Sequence, residues 1–100
     1  MKKYKVILHP DAELDIESSF KWGCRAWREE NAKLWVRKLR QTLRKQLTSM
    51  PLAFPLAPES EQLNIRIRHL IVDRYRVLFT VTGSIVTILH VRGPYIAPID

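Results

Sequence analysis

The sequence predicts an α+β fold: an N-terminal strand, two amphipathic helices and then a three-stranded antiparallel meander, with both helices packed on one face of the sheet. Three observations carry this prediction: a β-prone start at residues 4–8, helical periodicity between residues 10 and 50, and β-rich segments after residue 62. An exposed apolar sheet face needs a cover, which two amphipathic helices supply. A chain of 100 residues is expected to form a single domain spanning residues 1–100.

The first strand leads directly into the first helix. Pro10 and Asp11 favour a helix start, because proline is tolerated in the first turn and an acidic side chain interacts favourably with the helix dipole. Apolar or small side chains then recur at helical spacing and predict one buried face. These residues are Ala12, Ile16, Phe20, Gly23 and Trp27. We expect a break in this helix near Gly23.

The second helix shows the clearer periodicity. It is expected to begin after the cap candidate Asn31 and to end at Pro51. Its apolar positions are Ala32, Trp35, Val36, Leu39, Leu43, Leu47 and Met50. The opposite face carries a basic stripe, defined as Lys33, Arg37, Arg40 and Arg44. Such a stripe is either a solvated helix face or a surface for an acidic partner.

The prolines that follow predict an irregular connector. Residues 50–60 (MPLAFPLAPES) contain Pro51, Pro55 and Pro58 and cannot sustain a helix. The connector is too apolar to be a free linker. We therefore expect it to be fixed over the core by its larger apolar side chains, which are Leu52, Phe54 and Leu56.

The last third of the chain reads as three strands. Residues 63–70, 74–81 and 85–92 are rich in β-branched and aromatic residues, and residues 82–84 (TGS) predict the final hairpin turn. If the strands are regular, basic residues share a face in each of them. These pairs are Arg66 with Arg68, Arg74 with Arg76, and His90 with Arg92. Clustered guanidinium groups favour a phosphate ligand, although solvated strand arginines are the plainer interpretation.

Composition narrows the functional classes. The net charge of +7 favours polyanionic partners, either nucleic acid or an acidic protein. The single cysteine, Cys24, suits a reducing compartment, and no segment resembles a signal peptide or a membrane span, so a cytoplasmic location is expected. The histidines and Cys24 lack metal-ligand spacing, and no glycine-rich phosphate loop is present. We expect neither a metal nor a cofactor.

Two blocks of sequence carry a resemblance to a known family. RYRVLF at residues 74–79, followed by VTGSIVTILHVRG at residues 81–93, resembles the closing hairpin of RelE/ParE-superfamily toxins. VILHPDAELDIESSFKW at residues 6–22 is similar to the opening strand and helix of that family, with its Pro-x-Ala-x-x-Asp pattern at Pro10, Ala12 and Asp15. The resemblance implies a toxin of a type II toxin–antitoxin pair, held by an acidic antitoxin in a hetero-oligomer, with the basic stripe as a surface for that partner.

The superfamily divides on the target. RelE-like members cleave mRNA in the ribosomal A site, whereas ParE-like members poison DNA gyrase. In the ribonuclease branch the matching catalytic residues would be Arg66, Arg68 and Arg76 around the scissile phosphate, with His90, or as the second choice His69, moving a proton. Target or nucleic-acid binding is otherwise expected from further residues of the same region, namely Arg74, Arg92 and Tyr95.

The end of the chain favours the ParE-like activity. RelE-like nucleases usually continue into a tail with a further arginine and a tyrosine, but no basic residue follows Arg92 here, and Tyr95 lies between prolines. The run LHVRG at residues 89–93 is nearer to the ParE pattern. The sequence leaves two alternatives open, a ribosome-dependent endoribonuclease and an inactive antitoxin-binding or nucleic-acid-binding relative. It therefore leaves open whether the protein is an enzyme.

Overall fold

The structure of the protein is a computed structural model, which describes residues 3–93. Strand β1 is followed by two long helices, a 3₁₀ turn at Pro51–Ala53, a short helix and three strands. The bounds are β1 Lys5–Leu8, α1 Pro10–Ala26, α2 Glu29–Ser49, α3 Glu59–Leu63, β2 Arg68–Val72, β3 Tyr75–Thr82 and β4 Ile85–Arg92. The predicted order of strand, two helices and three strands is confirmed, with α3 as an additional element.

The four strands form one mixed sheet in the order β1-β4-β3-β2. Strands β2, β3 and β4 make the predicted antiparallel meander. Strand β1 pairs with β4 in parallel, from Lys5 opposite Ile85 to Leu8 opposite Ile88. The first and last strands are therefore neighbours, and this brings the start of α1 beside the end of β4.

Helix α1 begins where its sequence predicts. Pro10 occupies the first turn, and the backbone N–H of Asp11 donates to Nδ1 of His9 over 3.1 Å. The side chain of His9 thereby satisfies one of the backbone donors that a helix start leaves open. The expected break near Gly23 is wrong, because the helix continues through this residue to Ala26.

Gly23 serves close packing rather than a break. A Cβ atom at this position would lie 3.2 Å from the ring of Trp27 and 3.3 Å from Cβ of Ala32 in α2. The chain turns at Trp27, whose N–H donates to the carbonyl of Gly23 over 2.8 Å. The missing side chain thus lets α2 cross close to α1.

Helix α2 begins at Glu29, earlier than the predicted start after Asn31. Glu29 and Glu30 lie in its first turn, where carboxylates interact favourably with the helix dipole. The helix ends before Pro51, as predicted. Its buried residues are Ala32, Leu39, Leu43 and Leu47.

The main core lies between the two long helices and one face of the sheet, as predicted. Helix residues such as Ile16 and Leu39 pack there against Val77, Phe79 and Ile88 of the central strands. A second, smaller cluster lies on the other face of the sheet. It consists of Ala57, Ile67 and Leu78, with the partly buried Leu89 packed against it. The sheet therefore has a helix-covered face, under the two long helices, and an opposite face that neither long helix covers, here called the helix-free face.

The connector is fixed by only one of the three side chains expected. Phe54 packs against the core, with its ring 6.0 Å from that of Phe79 and perpendicular to it, as predicted. Leu52 and Leu56 are exposed, contrary to expectation. Pro51 and Ala57 are buried in their place. Phe54 and the small buried side chains of Pro51 and Ala57 therefore anchor the connector.

Strand β2 is shorter than its sequence suggests. It begins at Arg68, whereas Leu63 ends helix α3 and Asn64 follows in the left-handed conformation at φ 54°. Ser60 closes the intervening loop, because its Oγ donates to the carbonyl of Ile67 and accepts from the N–H of Ile67, both over 2.7 Å. The alternation of residues 63–67 thus belongs to a helix end and a loop.

Candidate functional site

The strand register separates the arginines that the sequence grouped together. Arg68 lies opposite Phe79, on the helix-covered face of the sheet. Arg76 lies opposite Ile71 on one side and Arg92 on the other, on the helix-free face. Directly opposed residues in an antiparallel pair share a face, so the side chains of Arg68 and Arg76 leave the sheet in opposite directions.

Arg68 has a structural partner. Its Nη1 donates to the carbonyl oxygen of Phe54 over 2.6 Å. The next residue of β2 also bonds to the connector, because the N–H of His69 donates to the carbonyl of Pro55 over 3.1 Å. The guanidinium group therefore holds the proline-rich connector against strand β2.

Two further predicted arginines lie outside the strands. Arg66 is exposed in the loop before β2, so the expectation that Arg66 and Arg68 project from one strand face is wrong. Arg74 is exposed in the turn after Asp73 and does not share a strand face with Arg76. The predicted Tyr95 lies outside the described residues.

Arg76 is engaged by an internal carboxylate. Its Nη1 donates to Oε1 of Glu59 over 3.0 Å, and its Nη2 donates to Oε2 of the same residue. Nδ1 of His69 lies 3.3 Å from Nη1 of Arg76. The hydrogen bonds from Arg76 hold the pKa of Glu59 below its ordinary value, so the carboxylate is charged.

Arg76 and Glu59 line a groove of about 440 Å³ on the helix-free face, here called the helix-free groove. Its apolar lining includes Ile67, Leu78 and Leu89. Its polar lining is His9, Asp11, Glu59, Arg76, His90 and Arg92. Within residues 3–93 no carboxylate lies within ion-pair distance of Arg92, so the arginines of the groove differ: Arg76 is paired and Arg92 is not.

His90 is bound to the first helix. Its Nδ1 lies 3.1 Å from Oδ2 of Asp15, and the same oxygen accepts from the backbone N–H of Val91 over 2.9 Å. A register shift opposite Leu78 and Phe79 leaves Leu89 as an extra residue in β4. Leu89 and His90 therefore both line the helix-free groove, together with Arg92.

A second and larger groove lies between the two long helices. This hairpin groove of about 1070 Å³ runs beside Leu8 and Pro10 at the end of β1. Its apolar lining from the helices is Leu14, Ile16, Phe20 and Val36. Lys33, Arg37 and Arg40 of the basic stripe stand along its α2 side, and Glu13 and Glu17 along its α1 side.

The basic stripe is only partly available. Lys33 Nζ lies 3.4 Å from Oε1 of Glu29, and both Nη atoms of Arg40 donate to Glu13, over 3.3 and 3.0 Å. The hydrogen bonds from Arg40 lower the pKa of Glu13. Arg37 and Arg44 are exposed and have no carboxylate partner within residues 3–93.

The sequence did not indicate that three of the predicted basic residues pair with carboxylates. Glu59, Glu13 and Asp15 each neutralise or orient a predicted basic residue, namely Arg76, Arg40 and His90. A signal existed only for Asp15, which ends the Pro-x-Ala-x-x-Asp pattern. The described part of the chain holds no group of three or more His, Cys, Asp or Glu side chains placed to bind a metal. None of its helices combines the length and apolarity needed to cross a bilayer.

Comparison with known proteins identifies the class. The fold resembles that of a solved chain from P. aeruginosa described as a chromosomal ParDE TA system, with a TM-score of 0.74, covering 91% of this chain and 96% of that one. The two sequences are 15% identical, so this likeness concerns the fold. No curated protein matches the sequence. Residues 6–93 match the ParE toxin of type II toxin–antitoxin systems, parDE. The protein therefore belongs to the ParE toxin family.

Proposed function

We propose that the protein is held inactive by a cognate acidic antitoxin and, when released, poisons DNA gyrase and blocks replication. The observation that carries this proposal is the family match over residues 6–93. The proposed site of antitoxin binding is the hairpin groove. The proposed location is the cytoplasm, where gyrase acts on DNA.

The hairpin groove suits an amphipathic, acidic segment. Leu14 and Phe20 offer apolar contacts, and an amphipathic helix laid in such a groove would bury them. Arg37 at the groove edge and Arg44 further along α2 have no carboxylate partner in the described part of the chain and can pair with acidic side chains of an antitoxin. The net charge of +7 would accelerate encounter with an acidic partner.

The separation of the arginines argues against a ribonuclease active site. Stabilising a phosphorane requires several cations at one phosphate. Arg68 faces the connector, Arg76 is paired with Glu59, and Arg66 lies in a loop. These placements weigh against the predicted set of Arg66, Arg68 and Arg76 as a nuclease site.

A paired assay of purified protein tests the target. DNA gyrase supercoiling with detection of trapped cleavage complexes is run beside a translating extract in which mRNA 5′ ends are mapped. We expect gyrase inhibition, accumulated cleavage complexes and intact mRNA. Ribosome-dependent cuts with normal gyrase would refute the proposal, and inactivity in both assays would indicate a relative without toxin activity.

A second experiment tests the antitoxin surface. The double variant Arg37→Glu/Arg44→Glu is titrated with the small acidic protein encoded next to the toxin gene. The control is Lys38→Glu/Lys45→Glu, which makes the same charge change at two other exposed positions of α2. We expect the first variant to lose about tenfold more affinity than the control, or about 1.4 kcal/mol. Equal losses would remove Arg37 and Arg44 from the interface.

A further inference from the structure

In the helix-free groove, Arg76 binds an internal carboxylate in the way that arginine binds an external anion. Arg76 meets both carboxylate oxygens of Glu59 through two guanidinium nitrogens. This two-point geometry is also the one in which arginine binds phosphate groups. With Glu59 displaced, Arg76 could therefore meet a phosphate through the same two nitrogens.

A second arginine lies beside this ion pair, and the two arginines together favour a phosphate ligand. Arg92 lies directly opposite Arg76 in the β3–β4 ladder and has no carboxylate partner within residues 3–93. Neighbouring strands are about 4.8 Å apart, so two opposed guanidinium groups can reach one phosphate. Glu59 pairs with only one of these two arginines, and the other carboxylate of the groove, Asp11, lies beside His9 and not within ion-pair distance of Arg92. His90 and the apolar Leu78 and Leu89 complete a groove of about 440 Å³, which has room for a nucleotide.

Helix α3 does not depend on Glu59 for its position. Ser60 of α3 is joined to Ile67, the residue before β2, by paired hydrogen bonds. The N–H of Ala57, just before α3, donates to the carbonyl of Ile67 over 2.7 Å. Ala57 and Ile67 are also buried together in the smaller cluster. Removing the charge of Glu59 should therefore leave α3 in place and free Arg76.

We propose that Glu59 is a specificity-determining residue: it occupies Arg76 in place of an external phosphate and so keeps single-stranded nucleic acid out of the helix-free groove. The charged state of Glu59 supports this, because its hydrogen bonds with Arg76 lower its pKa. The proposal does not depend on the cellular target of the toxin. It predicts a latent nucleic-acid site that a single substitution uncovers.

The test is the affinity of the purified full chain for a short fluorescent single-stranded RNA, measured by anisotropy at low salt. Glu59→Gln is compared with Glu61→Gln, which makes the same charge change at an exposed position of the same helix. We expect Glu59→Gln to bind about tenfold more tightly than Glu61→Gln. Glu59→Gln/Arg76→Ala should return to the affinity of the control. A difference below about threefold, or a gain that survives the loss of Arg76, would overturn the proposal.

Two further measurements keep the test decisive. If Glu59→Gln does not fold by circular dichroism, Glu59→Asp is used instead, since a shorter carboxylate weakens the pair while retaining the charge. It should then bind more tightly than Glu61→Asp, and equal binding would overturn the proposal. Poly-glutamate serves as a competitor without phosphate. Displacement of the RNA by poly-glutamate at equal charge concentration would show that the site takes carboxylates and would refute the proposed ligand class.

Discussion

The carboxylate of Asp15 in α1 accepts a hydrogen bond of 2.9 Å from the backbone N–H of Val91 in β4. The β1–β4 ladder stops at Leu8 opposite Ile88, so Val91 lies beyond the reach of a strand partner on that side. Asp15 supplies the missing acceptor and also binds Nδ1 of His90. One side chain thus joins the first helix to the last strand, and this gives the final residue of the Pro-x-Ala-x-x-Asp pattern a structural role.

Asp15→Ala is expected to lower the free energy of unfolding by about 1–3 kcal/mol, because it leaves the Val91 N–H without an acceptor. Asp15→Asn should lose less, since its amide oxygen can still accept that hydrogen bond. Urea denaturation measures both. Glu17→Ala is the control, because it removes a carboxylate of the same helix whose pair with Lys21 is exposed. A loss in Asp15→Ala no larger than in Glu17→Ala would show that Asp15 does not stabilise the fold.

The Ser19 hydroxyl is buried in α1 and has no hydrogen-bond partner among residues 3–93. Ser19→Ala is expected to raise the free energy of unfolding by about 0.5–2 kcal/mol, because it removes an unsatisfied polar group and alanine favours the helix. Ser18→Ala, at an exposed position of the same helix, gains only the helix propensity. Thermal and urea unfolding of both variants compare the two gains. A less stable Ser19→Ala would mean that the hydroxyl has a partner.

The periodic elements could be predicted from the sequence because local chemistry determines them. Strand β4 spans residues 85–92, as predicted, and α2 ends where Pro51 removes a backbone donor. The alternation of residues 63–67 predicted a strand there, and this prediction is wrong, because Ser60 and the left-handed Asn64 shape the segment as a loop. These hydrogen bonds depend on tertiary contacts, which no period of the sequence reveals.

The candidate site depended on such distant contacts even more. Glu59 is 17 residues from Arg76, and Glu13 is 27 residues from Arg40. Nothing in the spacing of these residues indicates that they pair. The sequence showed where the cations lie along the chain, but their availability depends on carboxylates that the fold brings to them.

Gly93 makes room for a core side chain. A Cβ atom there would come within 2.9 Å of three atoms of the buried Tyr75 ring. Gly93→Ala is therefore expected to lower the free energy of unfolding by about 1–3 kcal/mol. Gly83→Ala is the comparison, because its Cβ would meet nothing within 4 Å and only its φ of +59° disfavours alanine, by about 1–2 kcal/mol. Near-ultraviolet circular dichroism should change in Gly93→Ala and remain unchanged in Gly83→Ala. A spectral change in Gly83→Ala but not in Gly93→Ala would show that Gly93 is not in tight contact with Tyr75.

The pair of Glu59 and Arg76 should make stability depend on pH in acid. Arg76 lowers the pKa of Glu59 in the folded state below its ordinary value of 4.5. The unfolded chain therefore binds more protons between these two pKa values, and stability falls there as the pH falls. The contribution of Glu59 is fully present above about pH 5 and is lost as the pH passes through the depressed folded pKa. The difference in free energy of unfolding between the wild type and Glu59→Gln should follow this course. A difference that stays constant through this range, or grows as the pH falls, would show that Glu59 is not stabilised as a carboxylate by Arg76.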